Sequence, residues 1–421
     1  MTHFLDDILR QPQELQRTIA LLTGPNGARS ALDAATAAVR AARHVYLTGI
    51  GSSWHAALNV SSLFHEHAHP VYLHDAAELL AFATFPRDSA MILISRSGMS
   101  TEIVQLAAKA RKAGLTVLGI TNAPQGTLAK RAHIAIVVPV AFDHAISVNT
   151  YTTLALAAAM LAHRVVRAGS GSPGELKGEE GATEPRQVLS KARNEENRQQ
   201  AAALPMASSQ YRARLKSAPQ AFEDQGEGAL RPPGDSELAE SLSRTIAEAG
   251  RTIPGWQEQI ARSDWLRPHS ATYFLARGSS LGSAYEARLM WEEGVKTPAT
   301  AMGTGGFRHG PQEIVGKGLR FGLWIDGAHM RDEDLAVARD LRELGASVML
   351  IGQKLPEDAG DLVIQLPEVL AEWQFLIDII PAQLVAERLS RLSGVDCDTF
   401  RLCSYVVEDE GGLLPKKAGK K

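Results

Sequence analysis

The chain has 421 residues, with 44 Lys and Arg against 47 Asp and Glu, giving a formal net charge of −3. That length allows roughly two to three domains of about 150 residues each, and the near-neutral balance excludes partners held by massed positive charge, namely nucleic acids and anionic membranes. The two cysteines, Cys397 and Cys403, exclude a disulfide framework or a four-thiolate zinc site; separately, no metal or cofactor is expected. No basic, apolar leader follows Met1, and the apolar run near residues 154–161 is too short to span a bilayer. The expectation is a cytoplasmic protein.

In chain order, residues 8–23 read as a leading helix with Pro12 near its start. Short Val-, Ile- and Leu-rich runs at 45–48, 71–73, 91–95, 116–120 and 134–138 read as buried strands, separated by amphipathic stretches such as 101–113. That alternation is the mark of a parallel sheet with helices on both faces. From 169 to 235 the chain contains no Ile, Trp, Cys or His and reads as a loose linker or insertion, with a possible helix at 185–203. A helix at 237–249, closed by Gly250, opens a second alternation. Strands at 272–276, 319–325, 347–351 and 362–366 alternate there with helices at 280–293, 332–344 and 368–390. The predicted domains are therefore 1–168, a linker 169–235, 236–408 and a Lys-rich tail 409–421.

Two loops carry an anion-binding pattern. The strand at 91–95 runs into Ser95-Arg96-Ser97-Gly98-Met99-Ser100-Thr101-Glu102 and then a helix. Hydroxyls, a glycine and the unpaired N–H groups of a helix N-terminus suit a phosphate, while the plainer alternative is a Ser-rich N-cap. The second loop is Thr48-Gly49-Ile50-Gly51-Ser52-Ser53-Trp54-His55. It lacks the third glycine of a dinucleotide fingerprint, because Trp54 stands in its place, so the two loops are read as closing on one phosphate. The turn around Ser147 and Asn149 reads alone as helix capping. In the second half, Glu293 ends a helix and His309 lies sixteen positions on, inside Phe307-Arg308-His309-Gly310-Pro311. A carboxylate and a histidine are the side chains needed to move a proton between sugar carbons and to open the ring. The alternatives are a solvated helix-end charge and a structural histidine.

Taken together and in this order, these motifs resemble the double SIS (sugar isomerase) domain family. That family includes the isomerase half of glucosamine-6-phosphate synthase and stand-alone aminosugar-phosphate deaminases and deglycases. The resemblance covers most of 8–168 and 237–408. It implies an α/β fold of two nucleotide-binding-like subdomains, each a five-stranded parallel sheet in three αβα layers, and a homodimer. It implies that Gly51, Ser52, Ser53, Ser95, Arg96, Ser97, Ser100 and Thr101 surround the sugar phosphate, and that the backbone of 145–147, with Ser147, meets the sugar hydroxyls. It further implies that Glu293 is the base and that His309, donated by the dimer partner, opens the ring. The second half has Trp324-Ile325-Asp326-Gly327-Ala328 where a Ser-rich loop would stand, so one site per chain is expected.

Three departures narrow the implied activity. No glutaminase segment is seen, Arg96 replaces a glutamine, and Cys403 aligns with the synthase lysine that forms a Schiff base. A thiol cannot form an imine, and Lys416 and Lys417 are out of register. The expected function is a sugar-phosphate isomerase or an aminosugar-phosphate deaminase or deglycase, with a non-catalytic sugar-phosphate-binding regulator as the alternative.

Overall fold

In the first half of the chain, strand residues point alternately into two cores, and this is what makes the sheet a buried middle layer. Along β3 (Ser89–Ser95) Ile92 and Ile94 face an inner core, while Met91 and Leu93 face an outer one with Ile103 and Leu106. The second half repeats the arrangement on β9 (Ser347–Gly352), with Met349 and Ile351 inward and Val348 and Leu350 outward. Near-continuous apolar strands of this kind belong to parallel sheets covered on both faces. The computed structural model describes residues 1–25, 27–169, 233–267 and 271–407. The expected linker helix at 185–203 and the tail 409–421 lie outside the described residues.

The first sheet has the order β2-β1-β3-β4-β5, all neighbours parallel, with β1 (His44–Thr48), β2 (Tyr72–Leu73), β4 (Thr116–Thr121) and β5 (Ile134–Val137). The second has the order β10-β9-β8-β6-β7, again all parallel, with β6 (Thr272–Ala276), β7 (Ala299–Gly303), β8 (Arg320–Ile325) and β10 (Leu362–Gln365). Counted from its own first strand, each sheet has the order 2-1-3-4-5. Each therefore has one place, between its first and third strands, where the direction of winding reverses and ligands bind in open α/β sheets. The expected pair of five-stranded sheets is present.

The helices are α1 (His3–Thr23), α2 (Arg29–Ala41), α3 (Ser52–Glu66), α4 (Ala76–Phe82), α5 (Thr101–Lys112), α6 (Thr127–Arg131) and α7 (Asn149–Gly169) in the first half. In the second the longer ones are α8 (Asp235–Arg262), α9 (Leu281–Met290), α10 (Arg331–Glu343) and α11 (Phe375–Leu392). Residues of α3, α7, α9 and α11 meet in one inner core that joins the two sheets. The closest approach is at Gly282, where an added Cβ would lie 2.2 Å from the His55 carbonyl oxygen and 2.1 Å from Asn59 Oδ1. Only glycine lets α9 lie this near α3.

Several element boundaries differ from the sequence expectation. The leading helix starts at His3, capped by Thr2 Oγ1, which accepts the Leu5 N–H at 3.1 Å, so Pro12 is mid-helix rather than near the start. The helix expected to close at Gly250 runs on to Arg262, because Ile253, Trp256 and Ile260 continue the buried stripe of Leu242, Ile246 and Ala249. Gly250 faces α1, where a Cβ would meet Pro12 at 3.2 Å; its smallness serves packing, not termination. The 368–390 helix begins only at Phe375, after the short turn Ala371–Trp373. Helix α2 and the edge strand β7 were not anticipated, and β7, Ala-Thr-Ala-Met-Gly, has little β-branched or aromatic character to reveal it.

Candidate functional site

The site lies at the reversal point of the first sheet, in the loops that follow β1 and β3. Gly51 turns the chain into α3 with φ +55°, a conformation that side chains rarely adopt. Gly49 touches the helix it precedes, since an added Cβ would sit 2.6 Å from the Ser53 carbonyl group. Across the switch point, the Ser95–Ser100 loop is braced from within. Ser95 Oγ accepts the Gly98 N–H at 3.1 Å, Ser97 Oγ accepts the Met99 N–H at 3.1 Å, and Thr121 Oγ1 donates to the Arg96 carbonyl at 3.1 Å. Each serine thus accepts from its own loop, which leaves the hydroxyl hydrogen to be donated to a ligand. Ser100 precedes α5 without capping it through its side chain. Hydroxyl donors beside the N-termini of α3 and α5 make an anion cradle without a single lysine.

Together these loops form part of the wall of a cavity of about 220 Å³. Its far wall carries Glu293. Helix α9 ends at Met290, and the chain widens into a π turn, Trp291–Val295, before Lys296 stops it in the left-handed conformation at φ 58°. Wide turns of this kind re-aim side chains and recur at functional sites. Burial, reinforced by the Glu286 charge, pushes the Glu293 carboxyl up to about 7, against the opposing pull of Arg96 and Lys296. A carboxyl so poised is a proton acceptor and donor near neutrality.

The third wall is the segment 400–407, which folds back from the end of the second half. Arg96 reaches it, donating to the Tyr405 carbonyl oxygen and to Ser147 Oγ at 3.2 Å, with its guanidinium 5.8 Å from the centre of the Tyr405 ring. The Thr101 N–H donates to the Val407 carbonyl at 3.0 Å. Cys403 faces the cavity, and burial together with the Glu293 charge pushes its thiol up, partly offset by Arg96.

Of the residues singled out in the sequence, Gly51, Ser52, Ser53, Ser95, Arg96, Ser97, Ser100, Ser147 and Glu293 line this one cavity. Thr101 does not: its N–H is taken by Val407 and its hydroxyl by Gln105 Nε2 at 2.8 Å. His309 is exposed on the turn after Thr304–Phe307 and is not part of the cavity wall of its own chain. Sequence reasoning missed Glu102, which joins the wall one residue into α5, and Asp143. Asp143 is buried and accepts the N–H groups of Val148, Asn149 and Thr150 at 2.9–3.0 Å. Asp143, rather than Ser147 or Asn149, is therefore what caps α7 and holds the Ala145–Ser147 turn against the cavity. An acid a few residues before a helix is the signal that could have found it.

The second sheet presents a counterpart that is filled from within. After β6 comes Gly278-Ser279-Ser280, repeating Gly51-Ser52-Ser53 even to the positive φ of +52° at Gly278. Here, though, Ser279 Oγ donates to the Ala371 carbonyl at 3.0 Å and Ser280 Oγ to Asp378 at 2.7 Å. Arg277 Nε is engaged by both oxygens of buried Asp334 at 2.9 and 3.0 Å, and Asp326 accepts the N–H groups of Ala328 and His329 at 2.7 and 2.9 Å. Both serine hydroxyls are committed within the protein, and Asp326 Oδ2 would lie 3.5 Å from a Cβ at Gly278.

The class of molecule defined by this geometry is a two-sheet α/β protein with one hydroxyl-lined anion site and a neutral-range carboxyl beside it. Residues 38–164 match the SIS domain family, and this stretch of the chain is a SIS domain. Across 413 residues the chain is 22% identical to the glutamine–fructose-6-phosphate aminotransferase (isomerizing) of Pyrobaculum aerophilum, covering 97% of this chain and 58% of that protein. The chain thus spans a little over half the length of the curated relatives it matches across nearly all of its own. Among solved structures it shares its fold with glucosamine-6-phosphate deaminase from Thermotoga maritima, at TM-score 0.67 and 19% identity over 96% of this chain and 99% of that one. It also shares its fold with tagatose-6-phosphate ketose/aldose isomerase from Escherichia coli, at TM-score 0.68 and 18% identity over 97% and 98%. No helix among the described residues is long and apolar enough to cross a membrane.

Proposed function

We propose that the chain is an enzyme of phosphorylated sugars or amino sugars that moves a proton between C1 and C2, with Glu293 as the base. The observation that carries the reading is that Glu293 shares a single cavity with both serine loops. Regulatory binding needs the cradle alone, whereas the carboxyl beside it, poised at about 7, serves proton transfer. The names of the relatives and of the fold neighbours support the phosphosugar class.

With the phosphate held by Ser53, Ser95, Ser97 and Ser100, the open-chain sugar extends toward Glu293. The ionised carboxylate takes the C2 proton, the C–H electrons form the C1–C2 double bond, and the C1 oxygen takes up a proton. An enediol results, or an enolamine where C2 carries nitrogen. Return of the proton from Glu293 to C1 makes a carbonyl at C2 as the O2 proton leaves. With nitrogen at C2 the product is an imine, and one water hydrolyses it to ketose and ammonia. Ring opening is assigned to His309 of a second copy, the arrangement its exposed position on this chain suits.

The test is incubation with a panel of hexose 6-phosphates, glucosamine 6-phosphate and fructosamine-type 6-phosphates, following phosphosugars by NMR and ammonia separately. Turnover of one of them, abolished by Glu293→Gln while the sugar phosphate still binds, is expected; unchanged turnover in that variant refutes the assignment. Ammonia release marks a deaminase or deglycase, and interconversion without it an isomerase. Because Glu293 must be ionised to act and its carboxyl is raised to about 7, kcat should climb as pH passes from 6 to 8.

A further inference from the structure

We propose that His55 and Glu286 form a buried positioning pair for Glu293, joining the helix of the phosphate cradle to the helix that carries the base. The inference rests on Glu293 being the proton-transfer residue. His55 stands two residues after Ser53 on α3, and Glu286 stands on α9, seven positions before Glu293 in the π turn that follows it. His55 Nδ1 and Glu286 Oε2 are 2.7 Å apart, and the residues are 3% and 1% exposed. A carboxylate only accepts, so Nδ1 carries the proton of this bond.

The contact is built, not incidental. Gly282 lets the two helices close on each other at His55 itself. The Trp54 and Tyr285 rings pack 5.7 and 5.8 Å from the imidazole, and Asn59, one turn further along α3, donates to Tyr151 on α7 at 2.7 Å. Neither member of the pair lines the cavity, yet the Glu286 charge is the strongest of the charges bearing on Glu293. The others come from Arg96 on the cradle loop and from Glu292 and Lys296 on the π turn, while the Cys403 thiol faces Glu293 from the 400–407 segment. Glu286 therefore acts through Glu293, and His55 fixes the Glu286 carboxyl in place through the 2.7 Å hydrogen bond.

The experiment compares kcat–pH profiles from pH 5 to 9 for the full chain and for Glu286→Gln, His55→Leu and His55→Asn, with sugar-phosphate affinity by calorimetry and folding by circular dichroism. Glu286→Gln should shift the acid limb to lower pH, raising the ratio of kcat at pH 6 to kcat at pH 8 by about threefold or more, while affinity changes less than about twofold. His55→Leu should do the same, because it removes the hydrogen bond that holds Glu286 where its charge bears on Glu293. His55→Asn places an amide N–H near the lost Nδ1 and should restore the original limb. An unmoved limb in folded Glu286→Gln overturns the proposal, as does a His55→Asn profile equal to that of His55→Leu. If His55→Leu does not fold, Glu286→Gln decides alone. A chain that turns over nothing on the panel refutes the functional reading instead. The pair is then judged by ¹³C-carboxyl NMR of Glu293, which should titrate at lower pH in Glu286→Gln than in the parent and overturns the proposal if it does not.

Discussion

The two sheets wind in the same order and turn into their first crossover helices through the same tripeptide, yet the hydroxyls at the two crevices are used differently. At the first, Ser95 and Ser97 accept from their own loop and keep their hydroxyl hydrogens, and the one charged group within that loop is Arg96. At the second, Ser279 and Ser280 have given their hydrogens to Ala371 and Asp378, and Asp326 and Asp334 occupy the turn. An anion entering there would meet the carboxylates of Asp326 and Asp334, with both serine hydroxyls already committed. Backbone topology supplies two candidate sites; the direction in which a few hydroxyl hydrogens point sets them apart.

The largest expected effect breaks the first crevice chemically. Glu293→Gln keeps the shape of the wall but cannot accept a proton, so kcat should fall on the order of a thousandfold while phosphosugar affinity stays within about threefold. Measuring kcat and the binding constant on the same preparation separates the two. The next effect sharpens the second crevice. Burial holds the Asp378 carboxyl up at about 7, with the Ser280, Ser283 and Gln374 hydrogen bonds opposing. Its folded-state value is raised, so the stability it contributes is full below its unfolded value near 4 and is lost as pH rises through 7. Relative to Asp378→Asn, the parent should therefore lose roughly 2 kcal/mol between pH 5 and pH 7. Urea unfolding at the two pH values checks this, and a parallel pair of curves contradicts it. A paired substitution then tests the contrast itself. Ser97→Ala removes a hydroxyl from the cavity wall and, on the proposed reading, should weaken phosphosugar binding about tenfold, or ~1.4 kcal/mol. Ser279→Ala, in the first crossover turn of the other sheet, should leave affinity within about twofold.

Much of this contrast was legible in residues and much was not. The serine loops, their glycines and the strands that feed them are local patterns, and all but one of the loop residues chosen from them line the cavity. Glu293 was also readable, as the acid ending a helix. The π turn that aims it was not, because it depends on how Trp291 and Val295 are buried in the shared core. Nor was the return of 400–407 to the cavity, which is anchored far away by Asp398 accepting the His3 and Phe4 N–H groups at 2.8 Å. The Gly278-Ser279-Ser280 repeat was in plain view, but sequence holds no record of whether a serine hydrogen points to solvent or to Asp378. Helix α8 failed at Gly250 for a related reason: a glycine that stops a helix and one that admits Pro12 look alike until the partner is placed.

The smallest expected effect asks which parts of the open crevice are chemistry and which are only wall. Cys403 faces the cavity, its Sγ touching the Ser404 carbonyl at 3.4 Å, and burial and Glu293 keep its proton on. A neutral thiol is a poor nucleophile and brings no charge to the site. Cys403→Ser should therefore change kcat by less than about twofold. Filling the same space is another matter. A maleimide on Cys403 adds bulk to a cavity of about 220 Å³ and should abolish turnover, and a bound sugar phosphate should protect against it. Cys397 is 2% exposed and should react far more slowly. If Cys403→Ser instead cost as much as the adduct, the thiol would belong to the proton chemistry alongside Glu293.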